Sequence, residues 1–344
     1  MAGETISPYS FDHVILLLDT PDFENPPSWL TDNFTIIEGG THAGGSSRNK
    51  LIIFPDGTYI ELINWITEPK EFFDWAQKSP GLIDFALTTP SSAHDTVDEV
   101  MRRLESKPQS RQSESSTSDD LSEAGADAGD GGLGVRFRPP LAGGRKRKDG
   151  QDVKWHVTKP LLDDSAENVP KPLEKYFPTG RLDTPFFCHD VTDRNLRVPY
   201  TEKEISDTHP CGARGIVSVE VLVPEEKIES YIRLYTSVLG VKPKVQGGYR
   251  YRPNTSVSFL LSTPNPDEEA MKRLKGRVGV VIRAPRDQDD EAWLKERGVG
   301  IREVRLFAEA KSEDEVDEMA LDSEGIGASL VLVKEPAGFW EEGS

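Results

Sequence analysis

The sequence predicts an α+β protein built by repeating one small unit four times, and three observations carry that prediction. Four strand-like runs, rich in β-branched and aliphatic residues, close on similar tripeptides: "DTP" at 19–21, "TTP" at 88–90, "LVP" at 222–224 and "RAP" at 283–285. Each run is followed by a helical segment and then by further strand candidates. The chain of 344 residues is long enough for two ordinary domains. A unit this short cannot bury its own sheet face, so the units must pair. Two pairs give two lobes, 1–205 and 206–344, joined by a linker near 192–212.

In the first unit, "HVILLLDTP" (13–21) reads as a strand stopped by proline, and Pro26 and Pro27 permit a helical turn beginning near them. "FTIIEGG", "RNKLIIFP" and "TYIELINWI" follow as strands, separated by Gly-rich and Pro-Asp-Gly turns. The second unit opens with "GLIDFALTTP" (81–90). Its helix carries Val97, Val100, Met101 and Leu104 at helical spacing, behind a Ser92–Asp95 capping pair. Residues 106–132 are rich in Ser, Asp and Gly, and that composition predicts a disordered insertion. Strands resume with "GVRFRPP", "VKWHVTK" and "TPFFCHDV".

The third unit begins with "GIVSVEVLVP" (215–224). Its helix places Ile228, Tyr231, Ile232, Tyr235 and Leu239 on one face and stops at Gly240; "GYRYRP" and "VSFLLSTP" are its later strands. A fourth unit is expected to open at "GRVGVVIRAP" (276–285), with a helix around "DDEAWLKERG" and strands "IREVRLFA" and "ASLVLVKEP". The acidic stretch before the last strand reads as a solvated face.

Asp and Glu outnumber Lys and Arg 59 to 41, a formal charge of −18. That field opposes nucleic acid and anionic membranes, so neither is expected as a partner. Two cysteines give no disulfide framework, and neither a secretory leader nor a membrane span is evident. A cytoplasmic protein is expected, and exposed sheet edges point to a homodimer. The basic run "GGRKRKDG" (143–150) reads as a hairpin tip in preference to a nuclear address.

Four stretches, "FDHVILLLDTP", "GGTHAGGSSRNKLIIFPDGTYIELI", "PFFCHDV" and "THPCGA", together resemble the glyoxalase-like branch of the vicinal oxygen chelate superfamily; "YIRLYTSVLGV" is similar to a first-helix signature of that superfamily. The resemblance implies paired β-α-β-β-β modules forming cupped mixed sheets, four modules in two lobes. It also implies a divalent metal held by strands one and four on the concave face. The matching positions here are His13, Glu61 and His189, with Asp190 as the alternative beside His189. In the second module the strand-one position falls near Leu82, which cannot ligate, and Asp84 is out of step.

Two imidazoles and a carboxylate suit zinc, iron, manganese or nickel alike. Alternation puts Glu61 on one face with Tyr59 and Ile63, and turns Ile60 and Leu62 away. His42, in the glycine-rich loop, is the candidate catalytic base or a fourth metal ligand, against the plainer reading of a flexible loop. Arg48 and Asn49 are candidates to orient substrate. His209 serves either a turn or the chemistry, and Trp155 with His156 is a candidate pocket wall. The expected function is a metal-dependent enzyme, an isomerase, lyase or ring-cleaving dioxygenase, acting on a small oxygenated metabolite. The alternative is a protein of the same fold that binds or sequesters a small molecule without turnover. The first strands of the second lobe, "IVSVEV" and "RVGVVI", offer no histidine, and that lobe is expected to be structural, a lid or a dimer surface.

Overall fold

The computed structural model describes residues 5–68, 75, 78–106, 128–147, 149–162, 184–246, 256–266, 274, 278–310, 318–321 and 326–336. Most of the expected disordered insertion, most of the acidic stretch at 309–325 and all of "GYRYRP" (248–253) lie outside the described residues.

The first lobe is built on β1 (Ser10–Leu17), β2 (Ile37–Thr41), β3 (Ser47–Ile53), β4 (Tyr59–Trp65), β5 (Gly81–Thr88), β6 (Val135–Phe137), β7 (Leu141–Lys146), β8 (Asp152–Thr158), β9 (Pro160–Leu162) and β10 (Phe186–Asp190). Eight of these form one sheet in the order β2-β3-β4-β1-β5-β10-β8-β7, and β6 pairs with β9 separately. β1 runs parallel to β4, and β5 parallel to β10. The two halves meet where β1 and β5 pair antiparallel. Each half is thus a module whose first and last strands are neighbours, the second half repeating the first about the β1–β5 seam.

The second lobe comprises β11 (Ala213–Leu222), β12 (Lys244–Gln246), β13 (Ser256–Leu260), β14 (Gly279–Arg283), β15 (Gly300–Ala310), β16 (Glu318–Ala320) and β17 (Ser329–Pro336). Its sheet runs β12-β13-β14-β11-β15-β17-β16. One expectation is corrected. β14, the "RAP" strand, lies parallel to β11 as β4 lies to β1, so it closes the third module. The fourth opens with β15, which pairs antiparallel to β11 as β5 does to β1. The helix Gln288–Arg297 therefore connects modules. Val280, Val281 and Ile282 gave β14 the composition of any buried strand, and only its partner distinguishes first from last.

Local chemistry explains the shorter elements. Asp19 caps the helix Thr20–Glu24, with Pro21 in its first turn, so the proline starts a helix as well as ending β1. Ser92 caps Ala93–Glu105 through Asp95 N (3.1 Å). Gly240, at φ 65°, ends Ile228–Leu239 in the left-handed conformation that glycine tolerates best. Those two long helices lie between the sheets. Val14, Leu16, Ile60 and Leu62 of the first sheet share one apolar core with Val219, Val221 and Tyr235 of the second lobe. The other face of the first sheet lines a cup with Ile15, Ile63, Ala86, Phe186 and Cys188. Among the described residues no helix is long and apolar enough to cross a membrane.

Candidate active site

The register of β1 against β4 sets His13 beside Tyr59 and Ile15 beside Glu61. His13 and Glu61 are therefore diagonal neighbours on the cup face. His13 Nε2 lies 3.4 Å from Glu61 Oε2, its Nδ1 lies 3.5 Å from Asp12, and its ring stacks on Tyr59 at 4.5 Å. β3 contributes Asn49, whose amide donates to Glu61 Oε1 at 2.7 Å. The β2–β3 hairpin contributes His42. Its turn is closed by His42 N to Ser47 O and Gly45 N to His42 O, so the glycine-rich segment is a built hairpin. His42 Nδ1 meets Ser47 Oγ at 2.8 Å, and its Nε2 lies 3.4 Å from Glu61 Oε1. A Cβ on Gly39 would sit 2.0 Å from Asn49 Oδ1, so the glycine leaves room for the amide that holds Glu61.

Glu61 is thus a buried carboxylate gripped from two sides. Burial is the largest influence on it and favours the neutral acid. The His42 hydrogen bond, the charges of His42 and His13 and the Asn49 amide outweigh burial and hold its pKa at about 2. It is an anion at neutral pH. Below it lies a closed ion-pair set: Arg194 and Arg197 each bond both Asp12 and Asp190 at 2.5–3.0 Å, and Arg197 also donates to Tyr59 Oη at 2.8 Å. Burial would raise the Asp12 carboxyl, but the two guanidinium groups hold it well below the usual range. The cavity is narrow, about 40 Å³, and its walls include Trp75, Trp155 and Phe186.

The structure brings His13, Glu61, His42 and Asn49 together. It does not bring His189 to them. The registers His13↔Tyr59 and Ala86↔Phe186 make Ala86 the second-module counterpart of His13, and two residues further along makes Cys188 the counterpart of Glu61. His189 points to the opposite face, where its Nε2 meets Thr96 Oγ1 of the helix Ala93–Glu105 at 3.1 Å. Asp190 is held by the two arginines. Arg48 is likewise turned away by alternation on β3. It bonds Asn64 and Glu24 and lies over Phe23 on the outer side. Asp84 accepts from Trp75 Nε1 at 2.7 Å. His209 receives Thr35 N and meets Ile53 O through its two nitrogens, a structural staple. Trp155 lines the cup, while His156 lies near His94, 6.3 Å away between ring centroids. Sequence reasoning passed over Arg145, Arg197 and Trp75, all lining the cup.

A profile of the family described as glyoxalase-like domain matches residues 11–239, more than half of the chain. The chain belongs to the glyoxalase-like domain family. None of the curated proteins compared with it matches. Among solved structures, a hypothetical protein from Staphylococcus aureus aligns with TM-score 0.56 at 15% identity, over 96% of this chain and 100% of its own. A triple mutant of 4-hydroxymandelate synthase from Streptomyces coelicolor aligns with TM-score 0.50 at 9% identity, over 97% and 95%. At such identities these similarities establish the fold. The glyoxalase-like chain has the mixed α+β cups that its resemblance to the vicinal oxygen chelate superfamily implies.

Whether this glyoxalase-like cup suits a divalent metal is a question of donors and positions. The donor kinds suit one: two imidazoles and an ionised carboxylate. Their positions do not. His13 and His42 take different oxygens of Glu61, and among the described residues no group of three His, Cys, Asp or Glu side chains is arranged to hold an ion. From the second module, Ala86 offers no donor. Burial pushes the Cys188 thiol well above its ordinary pKa, away from the thiolate a metal needs. The second lobe carries no histidine from β11 onward. On the face of β11 opposite Val219 and Val221, Glu220 is paired with Arg283 at 2.6 Å.

Proposed function

We propose that the first-lobe cup is the active site of an enzyme that moves a proton on a small oxygenated metabolite, as an isomerase or lyase does. The observation that supports this is the ionised Glu61 carboxylate, buried between two imidazoles on the wall of a small cavity. Its low pKa depends on hydrogen bonds and charges that an incoming oxygen can take over. When a substrate carbonyl accepts the N–H of His42 or His13, Glu61 loses those partners. Burial then dominates and raises its proton affinity. The C–H bond next to the carbonyl breaks, its proton goes to Glu61, and the electron pair moves onto the carbonyl oxygen, where the imidazole N–H bonds hold the enolate. Reprotonation at a neighbouring atom gives isomerisation, and expulsion of a β-substituent gives elimination. Asn49 keeps the carboxylate in place throughout.

The test is hydrogen exchange from D2O into a panel of small carbonyl compounds, followed by NMR. The wild-type protein is expected to label at least one of them. Glu61→Gln and His42→Gln are expected to slow labelling by about 10²- to 10⁴-fold without loss of thermal stability. Labelling that survives Glu61→Gln would sink the base assignment. Labelling that vanishes on dialysis against a chelator, and returns with one equivalent of a divalent ion, would replace it with a metal-held substrate.

A second reading, a non-catalytic binding or sequestration protein, is favoured by one observation: the counterparts of His13 and Glu61 in the second module are Ala86 and Cys188, so the histidine–carboxylate pair is not repeated there. Saturable ligand binding with no labelling of any compound would favour it.

A further inference from the structure

We propose that the cup's substrate is a short carboxylate anion and that Arg145 binds its carboxylate. This names the substrate class of the site proposed above and rests on that site being functional. Arg145 belongs to the basic run 143–150, most of which forms the end of β7 and its turn into β8. Register against β8 pairs Gly143 with Trp155 and Arg145 with Val153, which turns Arg145 to the cup face.

The guanidinium donates to two main-chain carbonyls, Gly39 O across the rim and Arg197 O at 3.1 Å. Both acceptors are neutral, and among the described residues no carboxylate forms an ion pair with Arg145. The other cations of the cup differ. Arg197 and Arg194 are matched by Asp12 and Asp190, two charges against two. Lys159 lies over Trp75 and 3.8 Å from Asp84. A guanidinium has five N–H donors, so two single bonds leave Arg145 with three to offer.

A half-buried guanidinium facing an aromatic-walled cavity without an acid of its own is the arrangement that planar, bidentate carboxylate recognition uses. Glu61 shares the cavity, and its negative charge would expel an anion that had no cation to hold it. Docking the carboxylate on Arg145 meets that repulsion and fixes which end of the substrate approaches Glu61. One water needs about 10–15 Å³ of such space, so the cavity admits a few waters or one short acid.

The experiment uses pyruvate and its uncharged amide, pyruvamide, titrated against the full-length protein by saturation-transfer NMR. Pyruvate is expected to bind roughly 10- to 100-fold more tightly than the amide. Arg145→Met is expected to abolish that preference, and Arg145→Lys to restore part of it, with thermal midpoints confirming that both variants fold. Equal binding of the two probes to the wild-type protein would overturn the proposal, as would binding of neither, or an undiminished preference in Arg145→Met. If Arg145→Met fails to fold, the wild-type preference and the Arg145→Lys titration decide. Glu61→Gln separates this from the reading on which it rests. Loss of hydrogen exchange with pyruvate still bound supports both, whereas unchanged exchange in Glu61→Gln removes the base and leaves the anion site standing.

Discussion

Burial acts on Glu61 and His189 with opposite outcomes, and the difference lies in what each side chain faces. Glu61 has three polar partners, His13, His42 and Asn49, on its two oxygens and stays charged. His189 has one hydroxyl partner, Thr96, and apolar neighbours such as Phe187. Burial is the largest influence on its imidazole and lowers its pKa to about 4. The unfolded chain binds a proton there below pH ~6.5, whereas the folded protein does so only near 4. In that window the unfolded state holds more protons, so stability falls as pH falls from 6.5 to 4 and then levels off. The loss is expected to be about 2–3 kcal/mol. His189→Gln should remove it, so urea midpoints of variant and wild type should converge towards pH 4. Parallel curves across the window would show that His189 does not titrate on unfolding.

At the scale of elements, the helices carry a further prediction. Arg103 is 4% exposed on the helix Ala93–Glu105 and reaches the end of Ile228–Leu239. It donates to Ser237 O at 2.6 Å, Val238 O at 3.2 Å and Tyr9 Oη at 2.6 Å. A cation at a helix C-terminus meets both the orphan carbonyls and the negative end of the dipole. Arg103→Met strands those acceptors in the core and is expected to cost about 2–4 kcal/mol in chemical denaturation, with cup binding unchanged. A cost below ~1 kcal/mol would mean that water replaces the guanidinium.

The same elements show what a sequence makes legible. The Pro55-Asp56-Gly57 turn and the apolar run of β1 are local signals, and both elements form where they predict. Glu61 could be assigned to a face because Tyr59 and Ile63 flank it on an unbroken strand. β10 gave no such guide. Phe186 and Phe187 are both apolar because both faces of the sheet are covered, so either phase of the alternation looks buried. That one-residue ambiguity separates His189 from Cys188. Arg103 and Arg145 were hidden for another reason: an arginine beside an apolar stripe or near a turn reads as solvated, and the main-chain carbonyls they bond lie more than 50 residues away.

For the molecule as a whole, the decisive feature is the single core between the lobes. The outer face of the first sheet is covered by helices and by the second lobe, and Val14, Leu16 and Ile60 belong to the same apolar cluster as Val219, Val221 and Tyr235. Main-chain bonds cross the same boundary: Ser7 N to Leu260 O and Phe11 N to Ser262 O at 2.9 Å, and Asn265 N to Asp56 O at 2.7 Å. Two lobes are therefore expected to unfold as one unit, although the repeat suggests two domains. A chain ended at residue 205 would expose the face that carries Val14 and Ile60, and it is expected to lack a cooperative transition. Native-state hydrogen exchange tests this in the intact protein. Amides of β1 and β11, the strands beside the antiparallel seam of each sheet, should share one opening free energy and one urea dependence. If β11 opened at lower urea while β1 stayed protected, the first lobe would be self-sufficient. The cup would then keep its shape without the second lobe, which could be removed without loss of binding. A shared opening instead makes the second lobe part of the cup's foundation. Its apolar sheet face, with Val219 and Val221, then has a physical role: supporting the β1 strand that carries His13.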